Sequence, residues 1–272
     1  MAQLSDDCFA FGGPLMSVDE AVDTIAARVR AVTETEWVDL VYADGRVLAS
    51  DITAPLALPP FTNSAVDGYA VRSVDLPRDD ERAFAISARV QAGSSSLGAV
   101  AAGEAVRIFT GAPMPAGSGT VFMQEDVRID AAGRVVLPTG LKPGANVRPA
   151  GEDIAEGHPA LPAGRLLRPQ DVALIAALGL THVQTRRRPR VAVFSTGNEV
   201  VSPGTPRGSA QLFDSNRFML AAMLKRLGCN VSDLGILRDD RVPLASALNE
   251  AAAHHDLIVT SGGVSTGEED HV

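Results

Sequence analysis

The chain has 272 residues, 46% hydrophobic and 21% charged, with a formal net charge of -9 and a pI of about 5.0. That composition is enough for more than one packed core, excludes wholesale disorder, and lacks the basic face that a nucleic-acid partner requires. Cys8 and Cys229 make neither a disulfide framework nor a zinc spacing, no apolar run reaches the roughly 18 residues of a membrane span, and the first seven residues lack a basic start before an apolar core, so the expectation is a cytoplasmic protein with no membrane partner.

Residues 1–14, with Gly12-Gly13-Pro14, show no periodicity and read as a lead-in. Ser17 and Glu20 form an S-x-x-E capping box, and Val18, Ala21, Ile25, Val29 and Val32 recur near helical spacing. A helix is therefore expected over 18–32, with its apolar stripe docked inside the molecule. Residues 36–43 read as a short strand, Asp44-Gly45 as a turn, and 46–49 as the start of another extended segment. Pro55, Pro59 and Pro60 mark a domain crossing. Residues 61–70 have no clear period. Asn63, Ser64 and Asp67 surround a buried-looking aromatic anchor, Tyr69, and both an elaborate turn and a rigid ligand loop fit that pattern.

Residues 83–141 read as all-β, with strands at 84–90, 105–109, 120–123 and 127–129 and a hairpin through 130–133 into 134–137. Between two of them, Thr110-Gly-Ala-Pro-Met-Pro115 is a loop stiffened by two prolines. Residues 144–153 are loop-rich and carry Glu152 and Asp153. Pro169 and Gly179 bracket a helix over 170–178. A strand at 181–185 runs into Arg186, Arg187, Arg188 and Arg190, which read as a solvated linker.

From Arg190 onward, strands at 190–195, 230–237 and 256–260 alternate with helices at 215–227 and 242–255. Such alternation implies right-handed βαβ units and a parallel sheet. Open α/β sheets bind ligands at the carboxyl ends of their strands. Here those ends carry Glu199, Asp239, Asp240, Glu268, Glu269 and Asp270, beside Gly197, Gly262, Gly263 and Gly267. Glycines admit an anion to the backbone amides, and carboxylates can hold Mg²⁺. Capping and turn formation alone also produce glycine-rich acidic loops. Three on one edge favour a site for a phosphorylated or otherwise anionic small ligand with a divalent metal.

Several stretches resemble the molybdopterin molybdotransferases of the MoeA and gephyrin E-domain type. They are Pro60-Phe-Thr-Asn-Ser-Ala-Val-Asp-Gly-Tyr-Ala70, Thr110-Gly-Ala-Pro113, Gly151-Glu-Asp-Ile154, Phe194-Ser-Thr-Gly-Asn-Glu199, Asp214-Ser-Asn216, Arg238-Asp-Asp240 and Ser261-Gly-Gly-Val-Ser265, in family order. The resemblance implies a multidomain α/β plus β-rich fold. Residues 15–53 would hold the N-terminal helix and first part of a linking domain, 54–157 a β-rich domain, 158–187 the rest of the linking domain, and 188–272 part of a three-layer α/β molybdopterin-binding domain. It implies insertion of molybdate into adenylated molybdopterin with release of AMP, Mg²⁺ as cofactor, a homodimer with the site shared between subunits, and an adenylyltransferase of the same pathway as partner. Carried over by motif, the catalytic positions are Asp67, Thr110, Asp153, Glu199, Asp239 and Asp270. Those holding the pterin or its phosphate are Thr196, Gly197, Ser261, Gly262, Gly263 and Ser265, and those holding metal are Glu199, Asp239 and Asp270. Thr62 departs from the acidic residue usual before Asn63. Family members also continue past the Ser-Gly-Gly-Val-Ser loop into a lysine-bearing segment and a C-terminal barrel, so a truncated chain is expected. Two other readings remain open: a molybdopterin adenylyltransferase, and an inactive paralogue acting as carrier or scaffold.

Overall fold

Residues 16–94 and 98–262 are described by the computed structural model. The chain divides into two compact units, Glu36–Thr185 and Met1–Thr35 with Arg186–Val272. At the start, Ser17 and Glu20 cap helix α1 (Val18–Arg28) reciprocally, the Ser17 side chain accepting from the Glu20 N–H and Glu20 from the Ser17 N–H. The helix ends four residues before the expected Val32, because the β-branched Val29 is already extended (φ −74°, ψ 130°). Its stripe is not docked inside the molecule. Val18, Val22, Ile25 and Val29 are all more than half exposed, and no residue of the helix is buried. Strand β1 (Thr35–Asp39) is also shorter than expected, since the Asp39 carboxylate accepts from the Val41 N–H at 3.0 Å and turns the chain into a 3₁₀ turn over Leu40–Tyr42.

Beyond β2 (Ile52–Thr53), the stretch expected to be aperiodic holds two strands, β3 (Asn63–Ser64) and β4 (Gly68–Val71). Tyr69 in β4 is half-buried. Together with β5 (Arg82–Val90), β6 (Glu104–Ile108), β7 (Thr120–Met123), β8 (Arg128–Ile129) and β9 (Val135–Leu137), β4 builds a six-stranded mixed sheet in the order β7-β4-β6-β5-β9-β8. Period-two alternation sorts its apolar residues into two cores. Ala70, Val90, Val106, Ile108 and Val121 enter one, and Val71, Phe84, Ala105, Phe122, Val135 and Leu137 the other. Burying a side chain such as Phe84 or Leu137, each fully buried here, stabilises by about 1.5–3 kcal/mol. Residues 130–133 make the expected hairpin, with Asp130 Oδ1 accepting from the Ala132 and Arg134 N–H groups at 2.9 Å.

The rest of this unit has its own core. Strand β10 (Val147–Arg148) pairs with β3, and β11 (Pro159–Leu161) with β2. Helix α2 (Pro169–Ala177) starts on proline as expected, and β12 (His182–Arg186) pairs with β1. Leu48, Ile52, Leu161, Leu167, Ile175, Leu178 and Val183 close over one another. Asp171 is buried in the first turn of α2. Arg165, at 2.7 Å, and the Arg168 N–H, at 3.0 Å, hold its carboxyl down to about 2.

The α/β unit has β13 (Arg190–Thr196), β14 (Val200–Val201), β15 (Leu212–Phe213), α3 (Asn216–Arg226), β16 (Asn230–Leu237), α4 (Arg241–His254) and β17 (Leu257–Ser261). Strands β16, β13 and β17 form the expected parallel sheet with β13 central, buried from Val191 to Thr196. The two crossovers run in opposite directions across the sheet, so right-handedness puts α3 and α4 on opposite faces and makes three layers. The arginine run is not a solvated linker. Arg187 binds Glu34 at 3.1 Å and Asp256 at 2.9 Å, and Arg186 donates to the Thr33 carbonyl at 2.7 Å. Arg187, the Arg190 N–H and the Arg190 guanidinium hold the Asp256 carboxyl well below the usual range.

Gly68 tests the packing of the mixed sheet. A Cβ built there would lie 1.8 Å from the Phe122 carbonyl oxygen, whereas at Gly98 it would meet nothing within 4 Å. Gly68→Ala is expected to destabilise the protein by about 3 kcal/mol or more, through overpacking against backbone. Gly98→Ala stays within about 0.5 kcal/mol of the parent. Urea denaturation of both variants checks the difference.

Candidate active site

The carboxyl ends of the three parallel strands converge, with Thr196 opposite Leu237 and Ser195 opposite Ser261. Past β13 the chain turns at Gly197 (φ 135°) to Glu199, and past β17 at Gly262 (φ 100°). A side chain at either glycine would be strained by the positive φ, and at Gly262 it would also run into backbone. At Gly197 a Cβ would meet the Glu199 carboxylate at 2.7 Å, and at Gly262 the Thr196 carbonyl oxygen at 2.6 Å. Between these turns and the start of α3 lies a cavity of about 230 Å³. Its polar lining includes Ser195, Thr196, Glu199, Asp214, Asn216 and Ser261, and its apolar wall is Val200, Leu212 and Phe213.

Asp214 organises this edge. It is 3% exposed and is met by Ser195 Oγ at 3.0 Å, the Arg217 N–H at 3.2 Å and Arg217 Nε at 2.7 Å. The Arg217 guanidinium continues to Asp233 in β16, just before a bulge at Leu234, and the Gly235 N–H donates to that carboxylate at 2.8 Å. Burial works against the charge on Arg217, but the two carboxylates outweigh it and push its pKa up. The start of α3 is thereby fixed against both β13 and β16, and Asn216 Nδ2 reaches Ser261 Oγ at 3.0 Å. Thr196 Oγ1 is buried with no hydrogen-bond partner among the described residues.

Of the residues the sequence singled out, Thr196, Gly197, Glu199, Ser261 and Gly262 come together here. Asp239 follows β16 on the same edge but does not line the cavity, and its Oδ1 is buried without a partner among the described residues. Gly263, Ser265 and Asp270 lie outside the described residues. Among the described residues no group of three or more His, Cys, Asp or Glu side chains is arranged to hold a metal ion.

In the other unit, Asp67 and Thr110 meet directly. Asp67 Oδ1 accepts from both the N–H and the hydroxyl of Thr110 at 2.8 Å, and these donors, the N–H foremost, pull the Asp67 carboxyl below its usual range. Arg107 braces the pair. Its guanidinium lies over Tyr69 and Phe109, at 5.0 and 4.8 Å, and donates to the Gly68 carbonyl at 3.1 Å and to Gln124, whose N–H holds the Asp67 carbonyl at 3.0 Å. Asp153 is gripped by Arg148 through both carboxylate oxygens, at 2.7 and 2.8 Å, and Arg148 also reaches Glu152. Thr62, the departure from the family pattern, accepts from the Ala150 N–H at 3.1 Å and so has a structural task.

Sequence reasoning named Ser195, Asp214 and Asn216 only as parts of motifs and missed Arg217, Arg107 and Arg148. The available signal was Asp214 three residues before Arg217 at the mouth of a helix, a capping and ion-pair spacing. Nothing local marks Arg107 or Arg148.

Residues 16–179 match the family model described as MoeA N-terminal region (domain I and II). The chain belongs to the MoeA family. Its residues 192–272 match a second model, the probable molybdopterin binding domain. Similar curated proteins include molybdopterin molybdenumtransferases of Haemophilus influenzae, 38% identical over 256 residues, and of Nostoc, 38% identical over 265 residues. The matches cover 94% and 95% of this chain but 63% and 61% of those relatives, so the chain spans somewhat less than two thirds of their length. A crystal structure of the molybdopterin biosynthesis MoeA protein of Pyrococcus horikoshii aligns with a TM-score of 0.82 at 31% identity, over 90% of this chain and 65% of that one.

Two substitutions probe the two clusters. Asp214→Ala leaves the buried Arg217 with one carboxylate and strips Ser195 of its acceptor, and is expected to cost about 3–5 kcal/mol in a denaturant melt. Thr110→Val removes one of the two donors to Asp67. Because the shift is downward, its stabilisation is present above the usual carboxylate range and is lost as pH falls through the lowered value. The Asp67 titration in Thr110→Val, followed by carboxyl NMR, is expected to move upward, partway back to the ordinary value.

Proposed function

We propose that this MoeA-family chain carries out the metal-insertion step of molybdenum cofactor synthesis, taking adenylated molybdopterin and molybdate and releasing AMP. The observation that carries the reading is the paired match. The MoeA N-terminal region holds the Asp67–Thr110 pair, and the molybdopterin-binding region holds the cavity ringed by Thr196, Glu199, Asn216 and Ser261. The relatives' name, molybdopterin molybdenumtransferase, supports it. An adenylyltransferase reading is less well supported, because the Asp67–Thr110 pair belongs to the MoeA N-terminal match.

In this reading Ser261 and Gly262, with Gly263 and Ser265, hold the pterin substrate through hydroxyls and amides. Asp67, held ionised by Thr110, and Asp153, held by Arg148, orient molybdate or the departing AMP as hydrogen-bonding groups. The donor set suits Mg²⁺, since Asp239 offers a hard oxygen whose Oδ1 is buried without a hydrogen bond, and Asp239 with Asp270 would hold the ion. Bound there, Mg²⁺ supplies charge neutralisation at the phosphoryl group. The chain acts as a cytoplasmic homodimer supplied by the adenylyltransferase of the pathway. The solvent-facing apolar stripe of α1 supports self-association.

The test is AMP release from adenylated molybdopterin, with and without molybdate and Mg²⁺. Molybdate-dependent release is expected, falling about 10²-fold or more in Asp67→Ala. Tight binding of the adenylate with no release would replace this reading with a carrier.

A further inference from the structure

The cavity at the start of α3 has a charge and hydrogen-bonding character that an anion does not match. Among the described residues its lining contains no lysine, arginine or histidine. The arginine next to it in sequence, Arg217, is consumed by Asp214 and Asp233 and is 5% exposed. A phosphate or molybdate placed here would face the Glu199 carboxylate with no cation from the lining to offset the repulsion. Three carboxylates that could change this by holding a metal are not found among the described residues.

What the lining offers is a set of hydrogen-bonding groups for a neutral ring. Glu199 presents two oxygens that only accept, and its carboxylate lies against Gly197, where a side chain would displace it. Thr196 is 4% exposed, and its Oγ1 has no partner among the described residues. The Ser261 hydroxyl accepts from Asn216 and keeps its own proton to donate. Leu212 and Phe213, about half exposed, give an apolar face against which a flat ring can lie. The volume of about 230 Å³ suits one ring system, below the roughly 300–1,000 Å³ of pockets that enclose whole drug-sized ligands.

We propose that this cavity reads the amino-bearing edge of the pterin ring, with the Glu199 carboxylate accepting from the ring N–H and the exocyclic amino group, and that the phosphate and molybdate bind elsewhere. The inference rests on the pterin reading above and assigns Glu199 to the ring, not to metal. The pairing of two parallel N–H donors with one carboxylate is the bidentate geometry that arginine otherwise supplies. Thr196 and Ser261 are placed to complete the ring's remaining polar atoms.

The test uses the full chain, in EDTA, with two fluorescent probes: pterin itself and lumazine, which carries oxygen in place of the exocyclic amino group. Lumazine would set a carbonyl against an acceptor-only carboxylate. Pterin is expected to bind at least about 10²-fold more tightly than lumazine, since a site built around N–H donors rejects an analogue that lacks them. In Glu199→Gln, whose amide can both donate and accept, that preference is expected to collapse to within about fivefold. Glu199 is exposed, so the variant is expected to keep its melting temperature, and a melt recorded beside the titration checks this. Thr196→Val is expected to weaken pterin without restoring lumazine. Equal binding of the two probes, a preference that survives Glu199→Gln, or pterin binding that needs Mg²⁺ would each overturn the proposal. AMP release without probe discrimination would remove the ring site and keep the metal-insertion reading. Discrimination without AMP release would keep the ring site and remove that reading.

Discussion

One buried carboxylate sets the geometry of the α/β edge. Asp214 has almost no solvent to hydrate it, so Arg217 and Ser195 must supply the hydrogen bonds that water cannot. Those partners come from different elements, Ser195 from the end of β13 and Arg217 from the first turn of α3, and Arg217 continues to Asp233 in β16. Satisfying one charge therefore ties the strand, the helix start and the neighbouring strand together. The cavity is what remains between them. Because Arg217 is spent on this network, the cavity is left without a cation from it, and its acceptor character follows from the way its own frame is neutralised.

The β-rich sheet solves a comparable problem by close approach. Gly68 allows β4 to lie against the Phe122 carbonyl, which places Asp67 at the strand's end beside the Thr110 loop. Arg107 then holds the backbone on both sides of Asp67, through Gly68 and Gln124, while two aromatic rings cover its guanidinium. Tyr69 is therefore half-buried as a platform for a cation. In both units the acidic residue of interest is positioned by an arginine that the ligand-facing motif does not contain.

The arginine run before β13 shows how charge can mislead when read along the chain. Four arginines within five residues look like a solvated segment, yet Arg187 joins Glu34 to Asp256 and so binds two parts of the chain far apart in sequence. The acidic partners are single residues, one at the end of a loop and one just before β17, with no local feature to mark them.

Periodicity and punctuation alone determined the parallel βαβ order, the hairpin through Asp130, the bounds of α2 between Pro169 and Gly179, and the gathering of Thr196, Glu199, Ser261 and Gly262 at one sheet edge. Of the edge residues, Glu199, Gly197 and Gly262 came from that reading, and Thr196 and Ser261 from the family resemblance. The periodic features are consequences of local propensity and of chirality, which act over a few residues. The ordered motifs also made the MoeA resemblance legible. Tertiary structure decided the rest, because it depended on partners distant in the chain. Strand β4 was hidden, since glycine and alanine at 68 and 70 carry no strand signal until a neighbouring backbone demands their smallness. The stripe of α1 looked like a buried face, because spacing alone cannot say whether anything packs against it. The commitments of Arg217, Arg107, Arg148 and Arg187 were invisible, because a salt bridge has no sequence period.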